Sequence, residues 1–390
     1  MMEAPVPLEE PLCTSTAAHI ATVGLPATRG NDAGSFPLTP EGAARLIARG
    51  FAVTMESGAA DCIHYTDADY AACGVEIGGR AKALGCDIVV YLPTPTASDA
   101  ALLKAGALLF TNMNLDNSAV PALRALLQRH AICVRLDNIA DHRGRRPFAD
   151  ILSEVGGCAA ITAAAAMLAD SVGGKGILMG GVAGIVPCEV LVTGSSIAAI
   201  AAARTALGLG ATVRMFDNDT YSLRHASGQL GHGVAGSTFH PRVFENALRS
   251  ADIIVATATD HAPAIDADLT AMLKRGAICF DLTGGKTFTA LQAVPLNYNW
   301  QSMPRQPQQR LCITDCAMAV PRTVAMAMSN AFAALFDDIA VCDGAITNAL
   351  RLNCCLRTGA LTFLGKCVNA RAAALLGVRT VDINLFLQFS

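Results

Sequence analysis

The residues of this chain whose types and spacing could do chemistry begin at Gly194-Ser195-Ser196-Ile197-Ala198-Ala199, with Asp217 standing 23 positions after Gly194. An apolar run precedes the turn, an alanine-rich run follows it, and "TVRMFD" closes the segment on an acid. Strand, turn, helix and strand in that order outline a dinucleotide-binding unit. In such a turn one glycine makes the bend and a second lets the backbone approach a pyrophosphate. A third, replaceable by alanine, lets helix and strand pack closely. Gly194 and Ala199 meet the first and third demands. Ser196 does not meet the second, because its side chain projects where phosphates would sit. Its hydroxyl could instead donate to a phosphate, reducing affinity without abolishing it. A carboxylate at the spacing of Asp217 receives ribose hydroxyls and repels a 2′-phosphate, which favours NAD. The expected cofactor is therefore NAD, weakly held, with Gly194, Ser195, Ser196, Ile197 and Asp217 around it. The same residues also read as an ordinary turn with a serine N-cap and an ordinary strand-end aspartate. The local pattern leaves both readings open.

Positioning those residues requires a sheet, and the surrounding sequence has the alternation for one. "IATVGL" (20–25) reads as a strand, and Thr39-Pro40-Glu41 opens a helix. Threonine caps it, proline suits the first turn, and glutamate faces the positive end of the dipole. Ala43, Leu46 and Ile47 share one helical face, and Gly50 ends it. "FAVTM", a short helix over "DADYAACG" and the strand "CDIVVYL" (86–92) continue the pattern, the last apolar enough to be buried on both faces. Residues 99–150 repeat it with "ALLFTNM", a helix from Pro121 to Gln128, and "AICVRL". Beyond Ser153 alanine and glycine dominate, predicting a helix over 157–170 and a glycine-rich loop over 173–187. Two helix-then-strand units, "VFENALRSADIIVATA" and "LTAMLKRGAICFDLTGG", carry a doubly wound parallel sheet to about Leu282. Residues 286–310 read as irregular, with "MPRQPQQR" the most loop-like piece. A helix follows Pro321, and the remainder reads as helical with no new sheet. The fold class is α/β.

With 390 residues the chain has room for two domains, each with its own core. A charged fraction of 16% and a net charge of -3 give no basic surface for nucleic acid or an anionic membrane. No stretch holds about 18 uninterrupted apolar residues, so no membrane span is expected. The start, MMEAPVPLEEP, carries Glu3, Glu9 and Glu10 and no basic residue, unlike a signal or transit peptide, and the expected location is cytoplasmic. The cysteines are scattered beside apolar neighbours. Cys312 with Cys316, and the adjacent Cys354 and Cys355, come nearest to a paired spacing, so reduced core cysteines are expected. His232 and His240 lie in a glycine-rich loop with no acid or thiol at ligand spacing, and no metal is expected.

Beyond these local patterns, the segments "VGLPATRGNDAGSFPLTPEGAARLIARG" (23–50), "SEVGG" (153–157), "GGKGILMGGVAGIVPCEVLVTG" (173–194), "AARTALGLGATVRMFDND" (202–219) and "VPRT" (320–323) stand out. In order along most of the chain, they resemble the alanine dehydrogenase and pyridine nucleotide transhydrogenase α-subunit family. The resemblance implies an oxidoreductase architecture of two domains. A Rossmann-type doubly wound parallel sheet (155–318) is inserted into a second α/β, substrate domain built from residues 1–154 and the C-terminal helices 319–390. It implies NAD(H) in the inserted domain, a small carboxylate ligand in the cleft, and a homo-oligomer, usually a hexamer among the dehydrogenases. The transhydrogenase branch works with a membrane partner, and nothing in this sequence speaks for one.

The resemblance also implies a catalytic set that is absent here at the matching positions. Ser35 stands where the family has an arginine that grips the substrate carboxylate, and Pro93 where a lysine is expected. Asn114, in "FTNMN", takes the place of the acid/base histidine, and the catalytic aspartate position falls at about Gly285. The Asn-Met-Pro bordering the nicotinamide pocket becomes Asp315-Cys316-Ala317. Asparagine does not titrate, and serine cannot form an arginine's bidentate clamp. Two residues are candidate substitutes: Arg135 for binding a carboxylate or phosphate, and Asp315 as a base beside the pocket. Arg29 is a weaker cation on a loop, and Tyr91 reads as packing. A strand-end arginine such as Arg135 also reads as a solvated or internally paired group. Three functions remain: a diverged homologue with a weakened NAD(H) scaffold, an active NAD-dependent amino- or oxo-acid dehydrogenase, and a structural subunit of a hetero-oligomer. The absent set favours the first over the second. Asp217 and the Gly-Gly-Val loop favour the first two over the third.

Overall fold

The computed structural model describes residues 21–29, 35–257, 262–296, 311–340 and 346–389. Cys13 and the "MPRQPQQR" stretch lie outside them. The strands, in chain order, begin with β1 (Thr22–Leu25), β2 (Ala52–Glu56), β3 (Glu76–Gly78), β4 (Ile88–Val90), β5 (Leu108–Thr111) and β6 (Ile132–Arg135). There follow β7 (Glu189–Thr193), β8 (Thr212–Phe216), β9 (Val234–Ser237), β10 (Ile253–Ala256), β11 (Ile278–Asp281), β12 (Gln292–Pro295) and β13 (Leu311–Thr314). The last two are β14 (Ala360–Phe363) and β15 (Lys366–Cys367). They form two sheets, ordered β15-β14-β6-β5-β4-β1-β2-β3 and β12-β13-β11-β10-β7-β8-β9. All pairings among β1–β6 and within the second sheet are parallel, and the helices between successive strands make this a two-domain α/β protein. In each sheet the order reverses beside its first strand, between β1 and β4 and between β7 and β10. Crevices open at the carboxyl ends of strands at such reversals.

The local reasons are those the sequence shows. Thr39 accepts from the Gly42 amide and caps the helix Pro40–Ala48, with Pro40 in its first turn. Thr66 and Asp69 close a capping box on the helix Asp67–Ala72. Strands such as β4 and β10 are buried along their whole length, which is why they read as unbroken apolar runs.

Four expectations need correction. The helix predicted over 157–170 runs from Pro147 to Ala169, straight through Gly156-Gly157. Those glycines are a close crossing rather than a boundary: a Cβ on Gly157 would stand 2.3 Å from the Ala198 carbonyl oxygen. The second sheet continues past Leu282, because β13 adds beside β11 and β12 adds beside β13. β12 lay in the stretch read as irregular. Its edge position leaves it exposed and lets it end on Pro295, so no alternation marks it. The C-terminal part is not all helical either, since β14 pairs antiparallel with β6 and turns back into β15. There the Thr362 hydroxyl donates to the Ala131 carbonyl at 2.8 Å and accepts from the Cys133 amide at 3.2 Å, bridging an irregular register that no periodicity reveals. Finally, the glycine-rich loop lies at the amino edge of β7, away from the crevice. Its glycines serve close packing, with a Cβ on Gly180 falling 2.4 Å from the Leu209 carbonyl oxygen. The loop therefore says nothing about a ligand.

The helix Pro147–Ala169 is the shaft between the domains. Phe148 packs in the first core, its ring 4.9 Å from that of Phe332, while Ala159, Ala160, Ile161, Ala163 and Ala164 pack in the second. By length and composition it is the one helix among the described residues that could cross a membrane, but it is threaded through two protein cores.

A dinucleotide crevice and the cleft beside it

β7 ends at Thr193, and Gly194 turns the chain with φ +89, a left-handed conformation that costs glycine nothing. Ser196 is the N-cap of the helix Ile197–Gly208, its hydroxyl accepting from the Ala199 amide at 3.4 Å. That hydroxyl donates its proton to Thr257 Oγ1 at 3.0 Å, and Thr257 in turn donates to the Thr193 carbonyl at 2.7 Å. A chain of hydroxyls thus ties the turn after β7 to the end of β10, across the reversal of strand order. The Ser196 proton is engaged by protein rather than held out for a phosphate. Ser195 donates to Asp217 Oδ2 at 2.6 Å, and Asp217 Oδ1 accepts from the Asp219 amide at 3.0 Å. Asp217 is 5% exposed, at the end of β8, so its carboxylate is aligned by the turn on one side and its own loop on the other. Ile197 is exposed at the helix start.

The fit to a dinucleotide can be judged from these contacts. The first-turn amides of Ile197 and Ala198 have no intrahelical acceptor, and they sit at the positive end of the helix dipole, where a pyrophosphate is stabilised. Asp217 has the carboxylate a ribose diol needs. The residues present fit the group, with Ser195 and Ser196 making bonds that glycine and alanine would not make.

On the β11–β13 side of the same helix start lies a cleft of about 190 Å³. Its walls are Leu152, Ser153 and Gly156 from the shaft helix, Ala198, and the strand-end residues Asp281, Leu282, Gly284 and Thr314 to Ala317. Asp281 is 1% exposed and accepts from the Thr283 amide and hydroxyl (2.8 and 2.5 Å) and from the Thr287 amide at 3.0 Å. Sequence reasoning passed over this residue, although an acid closing the apolar run "ICF" was a visible signal. Asp315 is exposed and adopts φ 54, ψ 33, a left-handed backbone uncommon for a non-glycine residue and concentrated at functional sites. Its Oδ2 accepts from Thr314 Oγ1 at 3.0 Å. Cys316, buried beneath it, has its thiol pushed up to about 12 by burial and by the charge of Asp315, and stays protonated.

The first sheet carries a different centre at its own reversal. Arg80 forks onto Asp99 at 2.7 and 2.8 Å and reaches Glu56 at 3.0 Å and the Ala27 carbonyl at 2.8 Å. Arg29 donates to Glu56 at 2.9 Å, and the Arg80 guanidinium lies 5.4 Å from the centre of the buried Tyr91 ring. Burial alone would raise the Asp99 carboxyl, but the Arg80 fork and the hydrogen bonds of Thr96 together outweigh it and hold Asp99 below the usual carboxylate range. None of this network was legible in spacing, because its members come from separate elements: the loop after β1, the end of β2 and the first turns of the helices Arg80–Leu84 and Ala97–Leu102. Arg135 forks onto Asp137, which anchors it at the end of β6. Ser35 is buried, Pro93 offers its carbonyl to Thr111 Oγ1 at 2.8 Å, and the exposed Asn114 donates its amide to Thr94 Oγ1 at 3.2 Å. The loops holding Pro93 and Asn114 are therefore neighbours. Gly285 follows Gly284 of the cleft wall with φ +80. His232 and His240 are exposed, and no group of metal-binding side chains forms among the described residues.

Seven parallel strands reversing at β7 and β10, a helix started at the reversal and an acid ending the neighbouring strand define a Rossmann-type dinucleotide-binding fold. Family models described as "Alanine dehydrogenase/PNT, N-terminal domain" and "C-terminal domain" match residues 30–159 and 160–370. The chain belongs to this alanine dehydrogenase/PNT family. Alanine dehydrogenase of Mycobacterium tuberculosis is 29% identical over 362 residues, 91% of this chain and 97% of the relative. That of Mycolicibacterium smegmatis is 29% identical over 79% of this chain and 84% of its own. Among solved structures, an L-alanine dehydrogenase superposes with a TM-score of 0.81 at 22% identity, covering 91% of this chain and 99% of its own. A transhydrogenase from Sinorhizobium meliloti superposes with 0.73 at 18% identity over 90% and 99%. At those identities the structures speak for the fold.

Proposed function

We propose that this chain is a nucleotide-binding member of the family that takes NAD(H) across the ends of β8, β7 and β11 and does not oxidise amino acids. Asp217 carries the reading: a buried strand-end carboxylate, beside a helix start whose free amides suit phosphates, with a cleft next along the sheet. The second half rests on the chemistry missing at the positions matched to the family's catalytic set. Ser35, Pro93, Asn114 and Gly285 offer neither a positive charge nor a group that titrates near neutral pH. Arg80 and Arg135 are each forked onto a carboxylate already. The roles left are sensing NAD(H) or supporting a catalytic relative in a mixed oligomer. Calorimetric titration with NADH, using NADPH as control, tests this. Preference for NADH supports Asp217 in its ribose role, and absence of binding by either at millimolar concentration refutes the proposal.

Asp315 favours a second reading, an NAD-dependent oxidoreductase using it as a base, because its strained backbone holds a carboxylate at the cleft wall. Turnover of NAD⁺ with a panel of amino and hydroxy acids, abolished in Asp315→Asn, would establish it.

The proposed domain boundaries at 154/155 and 318/319 lie within a few residues of where the connections change cores. Val155 packs in the first and Ala159 in the second; Cys316 and Val320 belong to the second and Val324 to the first. A homo-oligomer is supported by the exposed Val172, Leu178, Val182, Ile185 and Val186, on a stretch whose one charge, Lys175, is held by Asp252. Light scattering of the wild type and Leu178→Glu tests it.

A further inference from the structure

We propose that the cleft selects the oxidised dinucleotide, and that Asp315 is the residue responsible. The inference rests on the reading above, that a dinucleotide lies along the ends of β8, β7 and β11. The cleft shares Ala198 with the helix start and lies on the opposite side of it from Asp217. A dinucleotide with its adenosine ribose at Asp217 and its phosphates at the helix start must put its nicotinamide here.

Among the described residues, two carboxylates, Asp281 and Asp315, line this cleft, and no lysine, arginine or histidine does. Asp281 is buried and fixed as an acceptor by Thr283 and Thr287, while Asp315 is held by its left-handed backbone and by Thr314. The remaining walls are apolar or neutral, so the field in the cleft is negative. NAD⁺ and NADH share every atom of the adenosine and pyrophosphate, and they differ in the nicotinamide, whose ring is positively charged only in the oxidised form. The ratio of their affinities therefore isolates what the cleft contributes. A negative cleft attracts the charged ring and gains nothing from the neutral one. Asp315 is the accessible member of the pair and the one whose removal leaves the buried hydrogen bonds of Asp281 intact.

The test is titration of NAD⁺ and NADH into the wild type, Asp315→Asn and Asp217→Asn, at low and high salt. NAD⁺ should bind the wild type roughly three- to tenfold more tightly than NADH, the scale of a partly solvated charge pair. Asp315→Asn should lose most of that ratio by weakening NAD⁺ alone, and salt should reduce the ratio in the wild type. Asp217→Asn should weaken both ligands equally. Equal affinities, tighter NADH, or an unchanged ratio in Asp315→Asn would overturn this inference while leaving the nucleotide reading standing. No binding of either ligand by any variant would overturn both.

Discussion

The Ser195 hydroxyl donates to Asp217 Oδ2 at 2.6 Å, so the carboxylate that would receive a ribose is already receiving a bond from the phosphate turn. A ribose diol must share Asp217 with this hydroxyl or displace it. Ser195→Ala should therefore raise NADH affinity, about tenfold if one hydrogen bond to a charged group is at stake. Calorimetry decides. Weaker binding would mean that Ser195 orients Asp217 for the ligand instead.

Ser196 ties the turn to Thr257 and caps the following helix. Ser196→Gly removes the bridge across the crevice while keeping a residue tolerated at an N-cap. The expected outcome is tighter NADH binding with a stability loss of only a few tenths of a kcal/mol. Unchanged or weaker binding would dismiss the view that this side chain obstructs the pyrophosphate.

Asp99 gives a pH signature. Its folded-state pKa is depressed, chiefly by the Arg80 fork working against burial, so its contribution to stability is fully present above the ordinary carboxylate value of about 4. It is lost as pH falls through the depressed value. Urea unfolding should show Asp99→Asn less stable than the wild type at pH 7, with the gap closing as the pH drops toward 2. Arg80→Met leaves Asp99 and Glu56 without their shared cation, and should cost about 3–5 kcal/mol at neutral pH.

Thiol labelling follows burial. Cys133, Cys312 and Cys316 have thiols pushed up to about 12, by burial first in each case, whereas Cys354 is exposed. Iodoacetamide at pH 8 should label Cys354 in the native protein well before those three, as peptide mass analysis would show.

Rebuilding the family's set asks whether the positional matching is right. Gly285 has φ +80 and open space where a Cβ would stand, and aspartate is among the residues that tolerate such a backbone. Ser35→Arg, Pro93→Lys, Asn114→His and Gly285→Asp together should yield detectable amination of pyruvate with NADH. Complete inactivity of a folded, NADH-binding quadruple variant would discredit the matching.

The α/β class, the cap at Thr39, the turn at Gly194 and the strand ending at Asp217 were all written in the sequence, because each depends on residues a few positions apart. Apolar runs long enough to be buried on both faces declared the central strands, whereas β12 and β14 were hidden, one by an exposed edge and the other by an irregular register. Gly156-Gly157 looked like a helix boundary until the crossing with Ala198 gave the pair a purpose. Tertiary structure alone decided the rest. It gave Ser195 to Asp217, Ser196 to Thr257, Arg80 to Asp99 and Glu56, and Arg135 to Asp137. It also gathered Asp281 and Asp315 on one cleft. Secondary structure is set by local sterics and periodicity, which a sequence displays. Which charge meets which across a sheet edge is set by strand order, and strand order is a property of the whole chain folded.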